Sequence, residues 1–202
     1  KKKIGFLFFV FLLSCFLPTA LFSGVSLEDD SRSKNLGLEN KERDSIYVIR
    51  EKFIRDIELG NIEKVKLFLS DYRYNLNFTI NGLHPFVHAV GINNFEIVKL
   101  FLSETETNID VIDELGNTAL IKASEKGNVE IVNYLIDNGA DINYQNKQGL
   151  TPAMKAAEKN NFYIIKLLLD KNVDISKSDY TGRTLREIAE NSRDKRILKL
   201  LN

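Results

Sequence analysis

Residues 113–143, DELGNTALIKASEKGNVEIVNYLIDNGADIN, decide the fold of this chain because their pattern recurs along it. Gly116, Gly149 and Gly182 are evenly spaced, and Gly82 precedes the first of them by the same interval plus one position. A fixed period of about 33 residues is typical of stacked helical units, none of which can bury its apolar side chains alone. The period therefore predicts a repeat stack, which usually offers an extended binding surface instead of a catalytic pocket.

The second half of each repeat carries two apolar pairs at helical spacing. The pairs are Ile131-Val132 with Leu135-Ile136 in one copy, and Ile164-Ile165 with Leu168-Leu169 in the next. Such positions lie on one face of a helix, so each copy presents an apolar stripe to its neighbours. We expect these side chains to form a shared core.

A helix break recurs with the same period. Gly60, Asn93, Gly127 and Asn160 follow one another at this interval to within one position. Glycine and asparagine are the residues that best tolerate a left-handed backbone at a helix end. The pattern predicts two helices in each repeat, separated at these positions.

The quoted stretch resembles the ankyrin repeat. It follows the family pattern of Asp-x-x-Gly-x-Thr, then Ala and Gly, then Ile-Val-x-x-Leu, and then Gly-Ala-Asp-Ile-Asn. The next copy keeps Gly149, Thr151, Pro152 and Asp174, and the resemblance covers about residues 45–202. It implies an all-α fold, an ankyrin-repeat solenoid of about five helix-turn-helix units.

The register divides this part of the chain into five units. Unit 1 is an N-terminal capping unit at 45–77, units 2 to 4 occupy 78–112, 113–145 and 146–178, and unit 5 is a C-terminal cap at 179–202. In the family pattern a threonine precedes the first helix of a unit. Thr118 and Thr151 are therefore expected to cap that helix by accepting a backbone N–H, and His84 occupies the same position in unit 2.

The first residues have the pattern of an export signal. Residues 1–3 are lysines, residues 4–25 are almost uninterruptedly apolar, and acids follow at 28–30. A basic start followed by an apolar run predicts a signal peptide or membrane anchor at 1–26, with the rest of the chain exported. The expected location is periplasmic, anchored in the cell envelope, or secreted. Residues 27–44 are polar and lack periodicity, which predicts a flexible tether.

Three fates of the N-terminal segment stay open. Leu12-Leu13-Ser14-Cys15 resembles a relaxed bacterial lipobox, which makes Cys15 a candidate lipidation site and the membrane a partner. Cleavage between residues 20 and 26 and retention as an uncleaved anchor are the alternatives. In each case the exported part has no cysteine and forms no disulfide.

The charge balance argues against a general nucleic-acid binder. The chain has 28 basic and 28 acidic residues, and residues 27–202 carry a net charge near −3 because residues 1–26 contain three lysines and no acid. Nucleic-acid binding depends on cations that neutralise phosphates. Acids are concentrated between Glu104 and Asp141. We interpret that stretch as a solvated face, with attraction of a basic partner or a cation as the alternative.

His84 and His88 are the only histidines, and a spacing of four places both on one side of a helix. A zinc-protease arrangement needs a glutamate directly after the first histidine, where Pro85 stands instead. No third ligand is evident nearby. A helix cap is therefore the favoured role for His84, and a metal site is the alternative.

The known catalytic motifs do not occur in the exported part. Residues 27–202 contain no nucleophile elbow, no phosphate-binding glycine loop and no cysteine. Their carboxylates are spread over polar repeat positions, with no pair in an apolar setting that would separate two pKa values. The sequence therefore predicts a protein without enzymatic activity, cofactor or metal.

Protein binding is the function that the resemblance implies. Ankyrin-repeat proteins commonly contact partners through the turn tips between units and the exposed flank of the first helices. Carried over by register, the predicted partner-binding residues are Ile80, Leu83, Ile112, Glu114, Leu115, Asn117, Glu125, Lys126, Lys147, Gln148, Leu150, Glu158, Lys159, Tyr180 and Arg183. The apolar members and Phe78 form a contact patch unless they pack across adjacent turns.

The predicted function is thus a protein–protein interaction module of a bacterium, displayed in the cell envelope or secreted. Its expected partner is an unidentified protein, and no nucleic acid. One alternative is a small envelope metal-binding protein or enzyme that uses His84 and His88. The other is a structural spacer tethered to the membrane.

Overall fold

The computed structural model describes residues 36–71 and 76–202, with side chains from Ser45 onward. In this part of the chain the secondary structure consists of ten α-helices and three isolated β-bridges. The helices are α1 (Leu36–Glu58), α2 (Ile62–Leu69), α3 (Pro85–Gly91), α4 (Phe95–Glu104), α5 (Ala119–Lys126), α6 (Val129–Asp137), α7 (Pro152–Glu158), α8 (Phe162–Asp170), α9 (Leu185–Glu190) and α10 (Lys195–Leu200).

The helices form five successive pairs, which confirms the predicted all-helical repeat fold. Helices α3, α5, α7 and α9, each the first of its pair, contact one another in that order. Helices α2, α4, α6, α8 and α10 form a second row in the same way. Between one pair and the next, the chain passes through a turn that we call a finger, at 78–84, 113–118, 146–151 and 179–184.

All four predicted helix breaks adopt the left-handed backbone. The φ angles are +68° at Gly60, +65° at Asn93, +82° at Gly127 and +62° at Asn160. Because each break lies between the two helices of a pair, the recurring glycine or asparagine is what lets the chain reverse there.

The apolar pairs form the core as predicted. Ile131, Val132 and Leu135 are fully buried, and Ile164, Ile165 and Leu168 are at most 1% exposed. The fourth member of each set, Ile136 or Leu169, is half-buried against this core. Close approach of the first helices is possible because small residues lie between them, and Ala123, Ala156 and Ala189 have no exposed surface.

The core of units 1 and 2 is aromatic. The ring of Phe53 on α1 stacks on Phe68 at a centroid distance of 3.8 Å, and Phe101 lies 6.1 Å from Phe53 and 5.5 Å from Phe86. Aromatic pairs of this kind add to the stabilisation that comes from burial alone. This cluster joins α1 to units 1 and 2.

Helix α1 begins at Leu36, which corrects the tether prediction for residues 36–44. The stretch at 38–43 reads LENKER and consists mainly of strong helix formers, and no glycine or proline occurs from 38 to 59. It lacks an apolar stripe, so periodicity alone did not reveal it. Residues 27–35 lie outside the described residues, as do the predicted signal or anchor segment at 1–26 and Cys15.

Among the described residues, no helix combines the length and apolar character needed to cross a bilayer.

Candidate functional site

Each finger of units 3 to 5 is closed by one buried side chain. Oδ1 of Asp113 accepts hydrogen bonds from the backbone N–H of Leu115 at 2.9 Å and of Asn117 at 2.8 Å. Asn146 and Asp179 occupy the same position in the next two fingers and accept the equivalent pairs of bonds, all at 2.9 Å. One acceptor therefore holds each turn in a fixed shape.

The Asp179 carboxylate is held ionised by its finger. Burial opposes its ionisation, but hydrogen bonds from Thr181 and Arg183 outweigh burial and lower the pKa of Asp179 to about 2. The guanidinium of Arg183 lies 2.7 Å from the same carboxylate. Arg183 is thereby fixed at the surface, because its partner side chain is almost completely buried.

Hydrogen bonds also join each finger to the next. The N–H of Glu114 donates to Gly82 O at 3.2 Å, that of Lys147 to Leu115 O at 3.2 Å, and that of Tyr180 to Gln148 O at 3.1 Å. Side chains reinforce this ladder, since Asn146 Nδ2 donates to Asn117 Oδ1 at 2.8 Å. The fingers thus form a continuous array across four units.

The fingers and the first helices share grooves. A cavity of about 370 Å³ is lined by Lys147, Gln148 and Tyr180 of two fingers and by Lys155 and Glu158 of α7. A second cavity of about 220 Å³ lies in the same way between the fingers of units 2 and 3 and helices α3 and α5. We call the fingers of units 3 to 5, helices α5 and α7 and the adjoining Lys159 the binding face.

Two carboxylates on the binding face each bridge two cations. Glu125 lies 3.0 Å from Lys122 and 3.7 Å from Lys159. One repeat later, Glu158 lies 3.1 Å from Lys155 and 3.8 Å from Arg183. The same arrangement at successive units produces a row of alternating charges in which cations outnumber the carboxylates.

The pKa of Glu125 reflects this arrangement. Burial opposes its ionisation but is outweighed by Lys122, and further by Lys155 and Lys159, so the pKa of Glu125 is lowered. In total the binding face carries six cationic side chains and five carboxylates. Two of those carboxylates, Asp113 and Asp179, are buried inside their fingers. Asp179 neutralises Arg183, and over all these groups the binding face keeps a formal excess of one positive charge.

Large apolar side chains project from the finger tips. Leu115 is 64% exposed and Tyr180 is 73% exposed, while Ile112 at the base of the unit 3 finger is 40% exposed. Leu115 lines a cavity together with Lys122, and Tyr180 lines one with Lys155, so the binding face offers apolar and cationic contacts together. Buried apolar anchors surrounded by polar groups are the usual composition of a protein interface.

Three predicted partner-binding residues are corrected by the structure, because Ile80, Asn117 and Leu150 are at most 5% exposed. Ile80 exchanges two backbone hydrogen bonds with Leu83 in a tight turn, and its side chain joins the core, as does that of Phe78. Leu150 belongs to the core as well, and Asn117 takes part in the bonds between fingers. The contact patch is therefore smaller than predicted.

The other predicted residues of this set lie at the surface. Leu83 and Glu125 are half-buried, and the exposed members are Ile112, Glu114, Leu115, Lys126, Lys147, Gln148, Glu158, Lys159, Tyr180 and Arg183. Sequence reasoning missed Lys122 and Lys155. Each stands three residues before a predicted glutamate on the same helix, and that spacing was the signal available.

The two histidines serve as structural groups. His84 is 3% exposed, and its Nδ1 accepts the N–H of Phe86 at 3.3 Å, as the cap position predicted. Burial lowers the pKa of His84 to about 4. His88 Nε2 lies 3.2 Å from Glu58 Oε1 on α1. Within the described residues no three histidine, cysteine or acidic side chains come together as metal ligands.

The acidic stretch between Glu104 and Asp141 does not form one surface. Glu104 and Glu106 line a cavity of about 650 Å³ beside His84, Asp113 is buried in a finger, and Glu125 belongs to the binding face. The stretch therefore does not act as a single patch.

Comparison with known proteins follows the repeat pattern. Residues 54–146 match a family model for ankyrin repeats in three copies, and residues 135–189 match a second model for ankyrin repeats in many copies. The chain matches no curated protein.

Proposed function

The chain belongs to the ankyrin repeat family, and from that premise we propose that its binding face holds an acidic segment of a protein partner. Ankyrin repeats are generally non-enzymatic scaffolds for protein–protein interaction. What is specific to this chain is the chemistry of the binding face. There the row of alternating charges, in which cations outnumber carboxylates, lies beside the exposed Leu115 and Tyr180.

The observation that carries the proposal is the repeated bridge of two cations by one carboxylate. Lys122 and Lys159 share Glu125, and Lys155 and Arg183 share Glu158. In the first group one positive charge is left uncompensated, whereas Arg183 of the second group is also paired with the buried Asp179. A carboxylate of the partner supplies the anion that the Lys122–Lys159 pair lacks. Complementary charges of this kind speed association and select the partner.

Rigidity supports the same use of the surface. The turn acceptors Asp113, Asn146 and Asp179 and the bonds between fingers fix the tips before any partner arrives. A preorganised surface loses little conformational entropy when it docks. The partner can then match its own apolar side chains to finger tips whose spacing does not change.

Charge reversal on the binding face tests the proposal. A protein partner is first isolated by its binding to the unmodified domain. We expect the double variant Lys122→Glu, Lys155→Glu to bind this partner with an affinity lower by about 100-fold or more, because two attractive contacts become repulsive. The matched control is Lys166→Glu, an exposed lysine on the outer helix α8. The proposal is contradicted if both variants bind the partner equally. It is also contradicted if nuclease treatment abolishes the binding, because the ligand is then a nucleic acid. If the domain binds no protein saturably, the result supports the alternative of a structural spacer.

We further propose that the domain acts outside the cytoplasm. The basis is the run of lysines and apolar residues at 1–25. Alkaline phosphatase fused after Asn202 is expected to be active, and inactive when residues 1–26 are deleted. Activity that is independent of those residues contradicts export. Palmitate labelling that is lost in Cys15→Ala distinguishes lipidation from cleavage or an uncleaved anchor.

A further inference from the structure

The sequence contains two Asn–Gly pairs, Asn81-Gly82 and Asn138-Gly139. Because glycine has no side chain, its backbone nitrogen can approach the preceding asparagine amide without steric hindrance. We propose that Asn81 is a site of covalent self-modification, at which Gly82 displaces the side-chain amide, and that the fold protects Asn138 from the same reaction.

Asn138 is held by hydrogen bonds on both reacting groups. Its Nδ2 donates to Tyr134 O at 2.8 Å, and the Gly139 N–H, which would have to attack, donates to Ile136 O at 3.0 Å. Asn138 ends helix α6, and its own N–H also donates to Tyr134 O. Cyclisation at this pair requires that both groups first leave their partners.

Asn81 is free of such constraints. It lies at the apex of the unit 2 finger, where Ile80 and Leu83 exchange backbone hydrogen bonds of 3.0 and 2.9 Å. Neither the Asn81 side chain nor the Gly82 N–H has a hydrogen-bond partner among the described residues. Asn81 is exposed and already occupies the left-handed region, with φ at +51°.

The reaction needs only water. The Gly82 nitrogen bonds to Cγ of Asn81, the bond from Cγ to Nδ2 breaks, and the proton lost from Gly82 leaves on the departing ammonia. Water then adds to either carbonyl of the resulting succinimide. Opening at one carbonyl gives aspartate, and opening at the other gives isoaspartate, in which the main chain runs through the former side chain.

The product places a new charge beside the binding face. A Cβ at Gly82 would collide with Glu114 Oε2, so the Glu114 carboxylate packs directly against this glycine. Glu114 N also donates to Gly82 O at 3.2 Å. A second carboxylate at position 81 therefore stands next to Glu114 at the N-terminal end of the finger array, where it makes the surface more acidic.

Ageing the purified full-length protein tests the proposal. After incubation in mildly alkaline buffer, peptides that contain each pair are quantified by mass spectrometry, and isoaspartate is counted with isoaspartyl methyltransferase. In the folded protein we expect the Asn81 peptide to convert at least about tenfold faster than the Asn138 peptide, because two hydrogen bonds must open at the latter.

The unfolded protein is the internal control. In denaturant the two peptides should convert at similar rates, since each contains the same Asn–Gly pair. Folded rates that are equal, or faster at Asn138, overturn the proposal. Conversion of Asn81 only after unfolding overturns it as well.

Discussion

Unit 2 and units 3 and 4 have the same pair of helices but differ in how the unit begins. In units 3 and 4 a buried Asp113 or Asn146 closes the finger, and a threonine caps the first helix. In unit 2 the exposed Thr79 stands at the first position, backbone hydrogen bonds between Ile80 and Leu83 close the finger, and His84 is the cap. The same helical geometry is thus reached through two different turns.

Units 3 and 4 also differ from unit 2 in the charged side chains of their first helices. Lys122 and Glu125 on α5 and Lys155 and Glu158 on α7 recur in register, whereas the corresponding positions on α3 are His88 and Gly91. The imidazole of His88 instead lies 3.2 Å from the carboxylate of Glu58 on α1. The lysine–glutamate pairs of the proposed site therefore belong to units 3 and 4, and unit 2 joins these units to the aromatic N-terminal core.

The largest difference is expected when the finger acceptor is removed. Asp113→Ala leaves the N–H groups of Leu115 and Asn117 without their acceptor in a buried turn, which should lower the free energy of unfolding by about 3 kcal/mol. Thr79→Ala, at the same position in unit 2, should change it by less than about 0.5 kcal/mol. Urea denaturation at neutral pH measures both. Similar losses in the two variants would show that the fingers do not differ in this way.

The cap of unit 2 should make the protein sensitive to acid. The pKa of His84 falls from 6.5 to about 4 on folding, so the unfolded chain binds more protons as pH drops through this window. Stability is therefore complete above about pH 6.5 and is lost progressively toward pH 4, by about 3 kcal/mol. His84→Thr restores the cap found in units 3 and 4 and should remove this loss.

The free energies of unfolding of the unmodified protein and of His84→Thr are compared at each pH, because carboxylates also titrate in part of this range. An unchanged pH dependence in His84→Thr would mean that the histidine is not neutral and buried as the structure places it.

The smallest effect concerns Ser124, which is fully buried and is the one such side chain in the described residues whose polar atom lacks a hydrogen-bond partner. Unit 4 has Ala157 at the same position. Ser124→Ala should leave the free energy of unfolding unchanged or raise it by up to about 1 kcal/mol, and Ala157→Ser should lower it by about 1 kcal/mol. A clear loss of stability in Ser124→Ala would indicate a partner for this hydroxyl.

The sequence predicted those parts of the fold that a local pattern encodes. The left-handed breaks, such as Gly127 and Asn160, and the buried pair Ile131-Val132 follow from the repeat period combined with known backbone preferences. The start of α1 at Leu36 did not, because the first turns of that helix have no apolar stripe to reveal them.

The binding face was only partly predictable. Register identified Leu115 and Tyr180 as surface positions, but it could not decide which neighbours pack across turns, and Ile80 and Leu150 proved to be core. That outcome depends on the local turn geometry, since Ile80 pairs with Leu83 across a two-residue turn that the other fingers lack. The bridging of Lys122 and Lys159 by Glu125 joins two units and is visible only once the helices are packed.

Two tyrosines of similar exposure permit the most direct test of the central claim, that partners bind to the fingers and first helices. Tyr180 lies on a finger tip and is 73% exposed, whereas Tyr163 lies on the outer helix α8 and is 66% exposed. A photoreactive phenylalanine is introduced at each position in turn, and crosslinks to proteins are compared in intact cells.

Position 180 should crosslink a defined protein partner, and that crosslink should disappear in Lys122→Glu with Lys155→Glu, while position 163 gives none. Crosslinking of the same partner from position 163 with equal or greater yield would contradict the account.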